Sequence, residues 1–469
     1  MINSRTRVVA TFLMLIAGTC SLFTPVQSQN STPSRPDPRE IPVPAIRTSV
    51  KPLPGVNDLV ANPDLPDVMV MNDGRRVKTT ADWRKRRVEM MRIIEYYFVG
   101  ISPPAPGNVK GKELKSELLM GGKVKYRLIH LTFGPKESLS LDIGVFTPTA
   151  PKAVPAIIMP SGTPPGATAL PRLPQGPHQG TGADALLDVG SVNDSRSAVQ
   201  PITGRGTVAV PVSAESMAEK SPALAHGYAY VIFNNNDCGE DTTLRNPDGS
   251  WAFRTTRFYP AYPGYDWGLL AGWAWGVSRI VDYLQTDGSI DSKKLIVSGV
   301  SRTGKSALVA GAFDDRIAMV APVASSGGGT PAFRFSGAEH GGNEGLSEMM
   351  KKYPNWFSPH LHEFWGQPEK LPFDQNWLMA LAAPRPFIAL EGLKDQNVNK
   401  NGVWHSWGGA KAAYELFGAT DRLGVNWAER PHGMVEGDWD AMLAFADSYL
   451  LGKKTDRRFD QFPEGAAQP

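Results

Sequence analysis

Hydrophobic positions along the chain follow two patterns. Val154–Met159 and Tyr228–Phe233 are continuous apolar runs, the signature of strands buried on both faces. Leu295–Val300, Met319–Val323, Phe387–Leu390 and Leu423–Trp427 extend that series. Lys123–Phe133 and Leu139–Phe146 instead alternate apolar with polar residues, and Gly134-Pro135 between them predicts an antiparallel pair. Helical spacing fills the intervals. Gly268–Leu284 is nearly all apolar on one face, and Trp439–Leu451 predicts a closing helix. Trp83–Phe98 sets Val88, Met91, Ile93 and Ile94 among Arg and Lys, as an amphipathic helix laid over the core. Buried strands alternating with helices predict an α/β protein, a three-layer sandwich with a mainly parallel central sheet and antiparallel strands ahead of it.

One of those runs ends unlike the others. Leu295–Ser306 reads LIVSGVSRTGKS: an apolar strand breaks at Gly-x-Ser and restarts as a helix. A nucleophilic serine is presented at such a turn, and Gly299 removes a side chain that would collide with the strained Ser301 backbone. The usual elbow carries its second glycine two residues after the serine; here Thr303 stands there and Gly304 follows. Gly-x-Ser alone also fits an ordinary junction with a buried serine. The flanking strand, the helix and the partners downstream favour the nucleophile. With an antiparallel pair ahead and the elbow after about the fifth strand, the pattern is the α/β-hydrolase plan.

A serine hydroxyl is a weak nucleophile at neutral pH and needs a histidine base, itself oriented by a carboxylate. The chain order on this plan is Ser, then Asp or Glu, then His. Ser301, Asp395 and His432 satisfy it, each in a loop just after a predicted strand. Pro431 and Gly433 flank His432, so it sits on a shaped turn rather than a helix face. His130 lies in the antiparallel pair, His178 and His226 precede the elbow, and His340, His360 and His362 fall in a cap-like segment. His405 is the one rival. Glu391, immediately after the Phe387 strand, is the neighbouring alternative to Asp395. The Arg302 N–H is expected to form half of an oxyanion hole, with Ser161 or Gly162 giving the other half. The Arg302 side chain would add positive charge there. Lys305, one turn from Ser301, faces the same pocket. Two cations at a helix N-terminus oppose the helix dipole, and a local rule broken in this way points to function.

Composition narrows the class. Hydrophobic residues make up 41% and charged residues 20%, a globular balance. A net charge of +3 is too small to imply nucleic acid or an anionic membrane surface. Of two cysteines, Cys20 lies in an N-terminal leader, so Cys238 alone can form neither an internal disulfide nor a cysteine metal site. No clustered His or carboxylate pattern suggests a metal, and no cofactor is expected. The leader has basic Arg5 and Arg7, the interrupted apolar stretch Val8–Phe23 and a small residue at Ser28, which predicts a signal peptide over 1–28. A Pro-rich linker over 29–54 and one catalytic domain over 55–469 follow, with a Gly- and Pro-rich insertion at about 163–212. The mature protein is expected to be secreted or periplasmic, with no membrane contact after cleavage.

GVSRTGKSAL resembles the Gly-x-Ser-Arg-x-Gly-Lys signature of glucuronoyl esterases, carbohydrate esterase family 15. Tyr265–Asp291 looks like the bacterial branch of that family nearly residue for residue, and Asn343–Phe357 and Leu371–Pro386 are similar. The resemblance spans roughly Trp83 to Lys453 apart from the insertion. It implies cleavage of the ester between 4-O-methyl-glucuronate on glucuronoxylan and lignin alcohols, so the partner is a carbohydrate ester. It implies Ser301 as nucleophile, His432 as base and Arg302 lining the oxyanion hole. Lys305 and Glu344 would hold sugar hydroxyls and contribute little to stability. Two departures stand out. Fungal members carry their acid at the site that is Ala324 here, whereas bacterial members often use the later site, Asp395. The family tryptophan that stacks on the sugar is replaced by Gln396 and Asn397, which leaves Trp404 or Trp407 as substitutes. Two other functions fit the same pattern: a polysaccharide (xylan) acetyl esterase, and a non-catalytic carbohydrate-binding homologue.

Overall fold

A computed structural model describes residues 52–176 and 212–466. The leader, nearly all of the linker, most of the insertion and His178 lie outside them. The described residues belong to the unit Pro36–Pro469.

Among the described residues nine strands form one sheet. They are β1 (Lys110–Leu119), β2 (Val124–Phe133), β3 (Leu139–Pro148), β4 (Val154–Pro160), β5 (Ala229–Phe233), β6 (Ile290–Val300), β7 (Met319–Val323), β8 (Phe387–Gly392) and β9 (Leu423–Ala428). Their spatial order is β1-β2-β3-β5-β4-β6-β7-β8-β9. Pairing is antiparallel from β1 through β5 and parallel from there to β9. This is the α/β-hydrolase fold. The elbow strand is sixth in chain order because β1 precedes the expected antiparallel pair. β1 reads KGKELKSELL and is exposed along nearly its whole length, with a bulge between Glu113 and Lys115. Lysines and a bulge keep an edge strand from recruiting another chain, and the same residues hide it from a hydrophobic pattern.

The helices are α1 (Thr80–Ile94), α2 (Ala214–Glu219), α3 (Pro222–Ala225), α4 (Leu269–Leu284), α5 (Arg302–Phe313), α6 (Leu346–Lys352), α7 (Gln375–Leu381), α8 (Lys400–Glu415) and α9 (Glu436–Leu451). Alternate residues of each central strand serve opposite faces. Ala156 and Ile158 of β4 join the core under α1, α4, α5, α7 and α8, whereas Ile157 and Met159 join the core under α2, α3 and α9. α1 opens with a capping box in which the Thr79 hydroxyl accepts the Asp82 N–H and Asp82 accepts the Thr79 N–H, both at 3.1 Å. Its inner face is Trp83, Met90, Ile93 and Ile94. Val88, expected on that face, is 67% exposed, because Trp83 and Met90 set the inward stripe half a turn away.

The parallel strands all end on one edge of the sheet. The segments that follow β6, β7, β8 and β9 carry Ser301, Ala324, Asp395 and His432 in turn. Ligand sites of open α/β sheets lie at such carboxyl ends.

Candidate active site

Ser301 has φ +57° and ψ −121°, a conformation that costs a non-glycine residue free energy. It stands at the N-cap of α5, where a serine usually turns its hydroxyl onto the helix, yet its side chain makes no capping bond. The turn is held from outside. The Ser301 N–H donates to Val323 O at 2.9 Å, and the Lys305 N–H donates to Ser301 O at 3.0 Å. A Cβ on Gly299 would lie 2.4 Å from Thr303 O, so that position has no room for a side chain. The displaced glycine is explained here as well. The Thr303 hydroxyl accepts the Val300 N–H at 2.9 Å and donates to Val300 O at 2.8 Å, closing the elbow with a side chain. Gly304 is the residue pressed on the strand ends, where a Cβ would meet Val323 O at 2.8 Å and Gly299 O at 2.9 Å.

His432 Nδ1 lies 2.7 Å from Asp395 Oδ2; the carboxylate side chain is fully buried and the ring is 31% exposed. Backbone bonds from Leu393 to Ala428 O (2.9 Å) and from Lys394 to Arg430 O (3.0 Å) join the two loops. Buried Arg430 fixes the histidine loop, donating to Asp438 Oδ2 (2.6 Å), Leu390 O (3.1 Å) and Pro431 O (3.1 Å). Glu391, the alternative acid, lies inside β8 rather than after it. Its carboxyl is wholly buried and bonded to the Thr330 hydroxyl, not to an imidazole. Burial pushes it up to about 8, so it is largely neutral at pH 7. His405 stacks on Phe335 with centroids 3.6 Å apart, and among the described residues no hydrogen bond joins its ring to a carboxylate. Among the described residues no hydrogen bond joins Ser301 Oγ to His432; bonds of this type commonly tighten only around substrate.

Beside Ser301 lies a cluster of cations and carboxylates. Lys305, expected to face the pocket from one turn beyond Ser301, is 1% exposed. Its Nζ donates to Ser326 Oγ at 3.1 Å and lies 3.5 Å from Glu344 Oε2, which accepts the Ser326 hydroxyl at 2.6 Å. Burial lowers the lysine's pKa, and Glu344 opposes that shift. Burial gives this pair a bearing on stability that the sequence did not suggest, because removing one partner would strand the other. Ala324 and Ser326 both have positive φ, +45° and +41°, so the chain after β7 is bent sharply to present Ser326 to the lysine. Arg302 Nη1 pairs with Asp241 Oδ2 at 2.5 Å.

The two candidates for the second oxyanion donor separate. The Ser161 N–H donates to Phe233 O at 3.1 Å, extending the β4–β5 ladder, and its hydroxyl bonds Tyr230 at 2.7 Å. Ser161 is thus withdrawn as a donor. Gly162, with φ +89° and open space where a Cβ would stand, remains. The two tryptophans separate too. The Trp407 indole donates to Leu423 O at 3.1 Å and packs on Phe462, so Trp407 belongs to the β9 core. Trp404 is half-buried near the start of α8 and meets His405 edge-on at 4.9 Å.

A family model described as "Glucuronyl esterase, fungi" matches residues 191–418. A carbohydrate esterase from an unknown prokaryotic organism is 28% identical over 83% of this chain and 90% of its own length. A 4-O-methyl-glucuronoyl methylesterase of Podospora anserina is 29% identical over 87% of this chain and 71% of its own. The structure of a family 15 glucuronoyl esterase from Caldicellulosiruptor kristjansonii superposes with a TM-score of 0.63 at 28% identity, covering 86% of this chain and 95% of that one. In sequence and in fold the chain is similar to the glucuronoyl esterases of carbohydrate esterase family 15. The named relatives are esterases, and this similarity supports a carboxylic ester hydrolase. In this chain Ala324 leaves the post-β7 site without a carboxylate, and Asp395 is the carboxylate that meets His432. Asp241, Trp356 and Ser326 were not among the candidates from sequence. They come from the loop after β5, the segment after α6 and the turn after β7, and no spacing rule links them to the elbow.

Proposed function

We propose that this chain is an exported serine esterase that hydrolyses esters of 4-O-methyl-glucuronate side chains of glucuronoxylan, the lignin-carbohydrate links. Ser301 attacks the uronoyl carbonyl and passes its proton to His432 Nε2, while Asp395 holds Nδ1–H and steadies the imidazolium. The N–H groups of Arg302 and Gly162 receive the developing oxyanion. His432 returns the proton to the departing alcohol, and water then cleaves the acyl-enzyme by the same route. Lys305 and Glu344 hold sugar hydroxyls, and Trp404 offers a ring near the start of α8.

The observation that carries this reading is the pairing of His432 with Asp395 on the sheet edge where Ser301 stands in its strained turn. The named methylesterase relatives support the substrate class. The basic and apolar leader supports export; mass spectrometry of the native protein should find an N-terminus near Gln29. The test of the activity is hydrolysis of benzyl glucuronate measured against release of acetate from acetylated xylan. Preference for the uronate ester is expected, and preference for acetyl xylan would overturn the substrate. Labelling by a fluorophosphonate should disappear in Ser301→Ala; labelling that persists would overturn the nucleophile.

A further inference from the structure

Asp241 sits in the loop after β5, far in sequence from the elbow, and its side chain bridges two groups. Oδ2 lies 2.5 Å from Arg302 Nη1, and Oδ1 accepts the Trp356 indole N–H at 2.7 Å. Its own backbone is anchored on both sides: the N–H donates to Asn236 Oδ1 at 2.9 Å, and the carbonyl accepts Gln175 Nε2 at 3.0 Å. Trp356 is 2% exposed and stacks on Tyr353 with centroids 3.9 Å apart and planes 7° from parallel. The Arg302 guanidinium carbon lies 5.3 Å from the Trp356 ring centroid and 5.8 Å from that of Tyr353. It is therefore held between a carboxylate and an aromatic platform that the same carboxylate orients.

We infer that Asp241 is a positioning residue that aims the Arg302 side chain at the oxyanion formed when Ser301 attacks. This rests on the proposed serine-esterase reaction and on the expectation from sequence that the Arg302 side chain adds positive charge at its oxyanion. Arginine is long and flexible, and as the first residue of α5 it is disfavoured by the positive end of the helix dipole. Left alone, it would swing away from the turn. A guanidinium carries its N–H donors in a rigid fork, so fixing one nitrogen fixes the direction of the rest. An exposed ion pair would do this weakly, but the Asp241 side chain is only 12% exposed and cannot follow the arginine into solvent.

The test uses the mature protein with Asp241→Asn, which keeps a carbonyl for the Trp356 indole but loses the charge. Steady-state kinetics on benzyl glucuronate should show kcat reduced on the order of 10- to 100-fold with KM within about twofold, since the interaction matters in the transition state. Asp241→Glu, which keeps the charge, should recover part of that loss. In an Arg302→Ala background, Asp241→Asn should cost nothing further, because residues acting as one unit are not additive. An unchanged kcat in Asp241→Asn, or an equal loss with and without Arg302, would overturn the proposal. If Arg302→Ala itself leaves kcat intact, the oxyanion role of that side chain falls as well. If Arg302→Ala is costly and Asp241→Asn is not, only the role of Asp241 falls.

Discussion

Asp395 meets His432 Nδ1 through Oδ2 at 2.7 Å, while its Oδ1 accepts the Asn397 N–H at 2.9 Å. One carboxylate thus faces the imidazole and shapes its own loop. Asn in its place keeps the turn and loses the charge that steadies an imidazolium. Asp395→Asn should melt within a few degrees of wild type yet lose roughly 10²–10⁴-fold in kcat. Thermal melts beside steady-state kinetics check this, and near-full activity would leave Asp395 with the turn alone.

Lys305 and Glu344 form a buried pair, so removing one partner strands the other. Lys305→Ala should cost about 3 kcal/mol of stability in addition to lost turnover, because Glu344 keeps only the Ser326 hydroxyl. Lys305→Met combined with Glu344→Gln should recover most of that stability while remaining impaired on uronate esters. Denaturant titrations of the single and double variants measure the difference. A single variant as stable as wild type would restore the view that the pair serves substrate alone.

Glu391 ties stability to pH. Its folded value, about 8, lies above the ordinary 4.5. Between those values the folded chain keeps a proton that the unfolded chain has released, so stability falls as pH rises, by at most about 1.4 kcal/mol per pH unit for this group. Glu95, pushed up to about 7 by burial and by nearby Asp266, adds a slope of the same sign over a lower range. Glu391→Gln should flatten the decline between pH 7 and 8, where the contribution of Glu95 is fading. Melts across pH 5–9 read this directly; identical curves for variant and wild type would contradict a neutral buried Glu391.

The Thr303 hydroxyl closes the elbow by two hydrogen bonds to Val300. Thr303→Val keeps the shape and removes both. A loss of about 1–3 kcal/mol is expected, with kcat reduced roughly tenfold or more as Ser301 gains freedom. Kinetics and melts on the one variant separate the two effects, and an unchanged kcat would mean that Val323 O alone sets the serine.

The central sheet was legible because strands buried on both faces leave continuous apolar runs, as in Val154–Met159 and Tyr228–Phe233. The order of Ser301, Asp395 and His432 was legible because each follows such a run. β1 was not, since an exposed edge strand carries no apolar signal. Ser161 and Gly162 looked equivalent because only the cross-strand register shows which N–H the ladder takes up. Lys305 was legible as a pocket residue one turn from Ser301, but its enclosure by Glu344 and Ser326 was not, since those contacts come from distant segments. Asp241 left no trace in sequence, for its meaning lies entirely in the arginine it meets.

The cationic start of α5 has a consequence after bond cleavage. On the proposed reaction the ester that enters is neutral, whereas the uronic acid that forms is an anion released beside Arg302 and the positive end of a helix dipole. Where Asp241 and Glu344 do not fully offset the cations at the start of α5, the proposed reaction leaves the enzyme holding what it makes more tightly than what it consumes. Added salt loosens that grip, the more so where the contacts are open to solvent. Glucuronate should therefore inhibit strongly at low ionic strength and weakly at high. Equal inhibition by a neutral sugar would show that charge plays no part in retention.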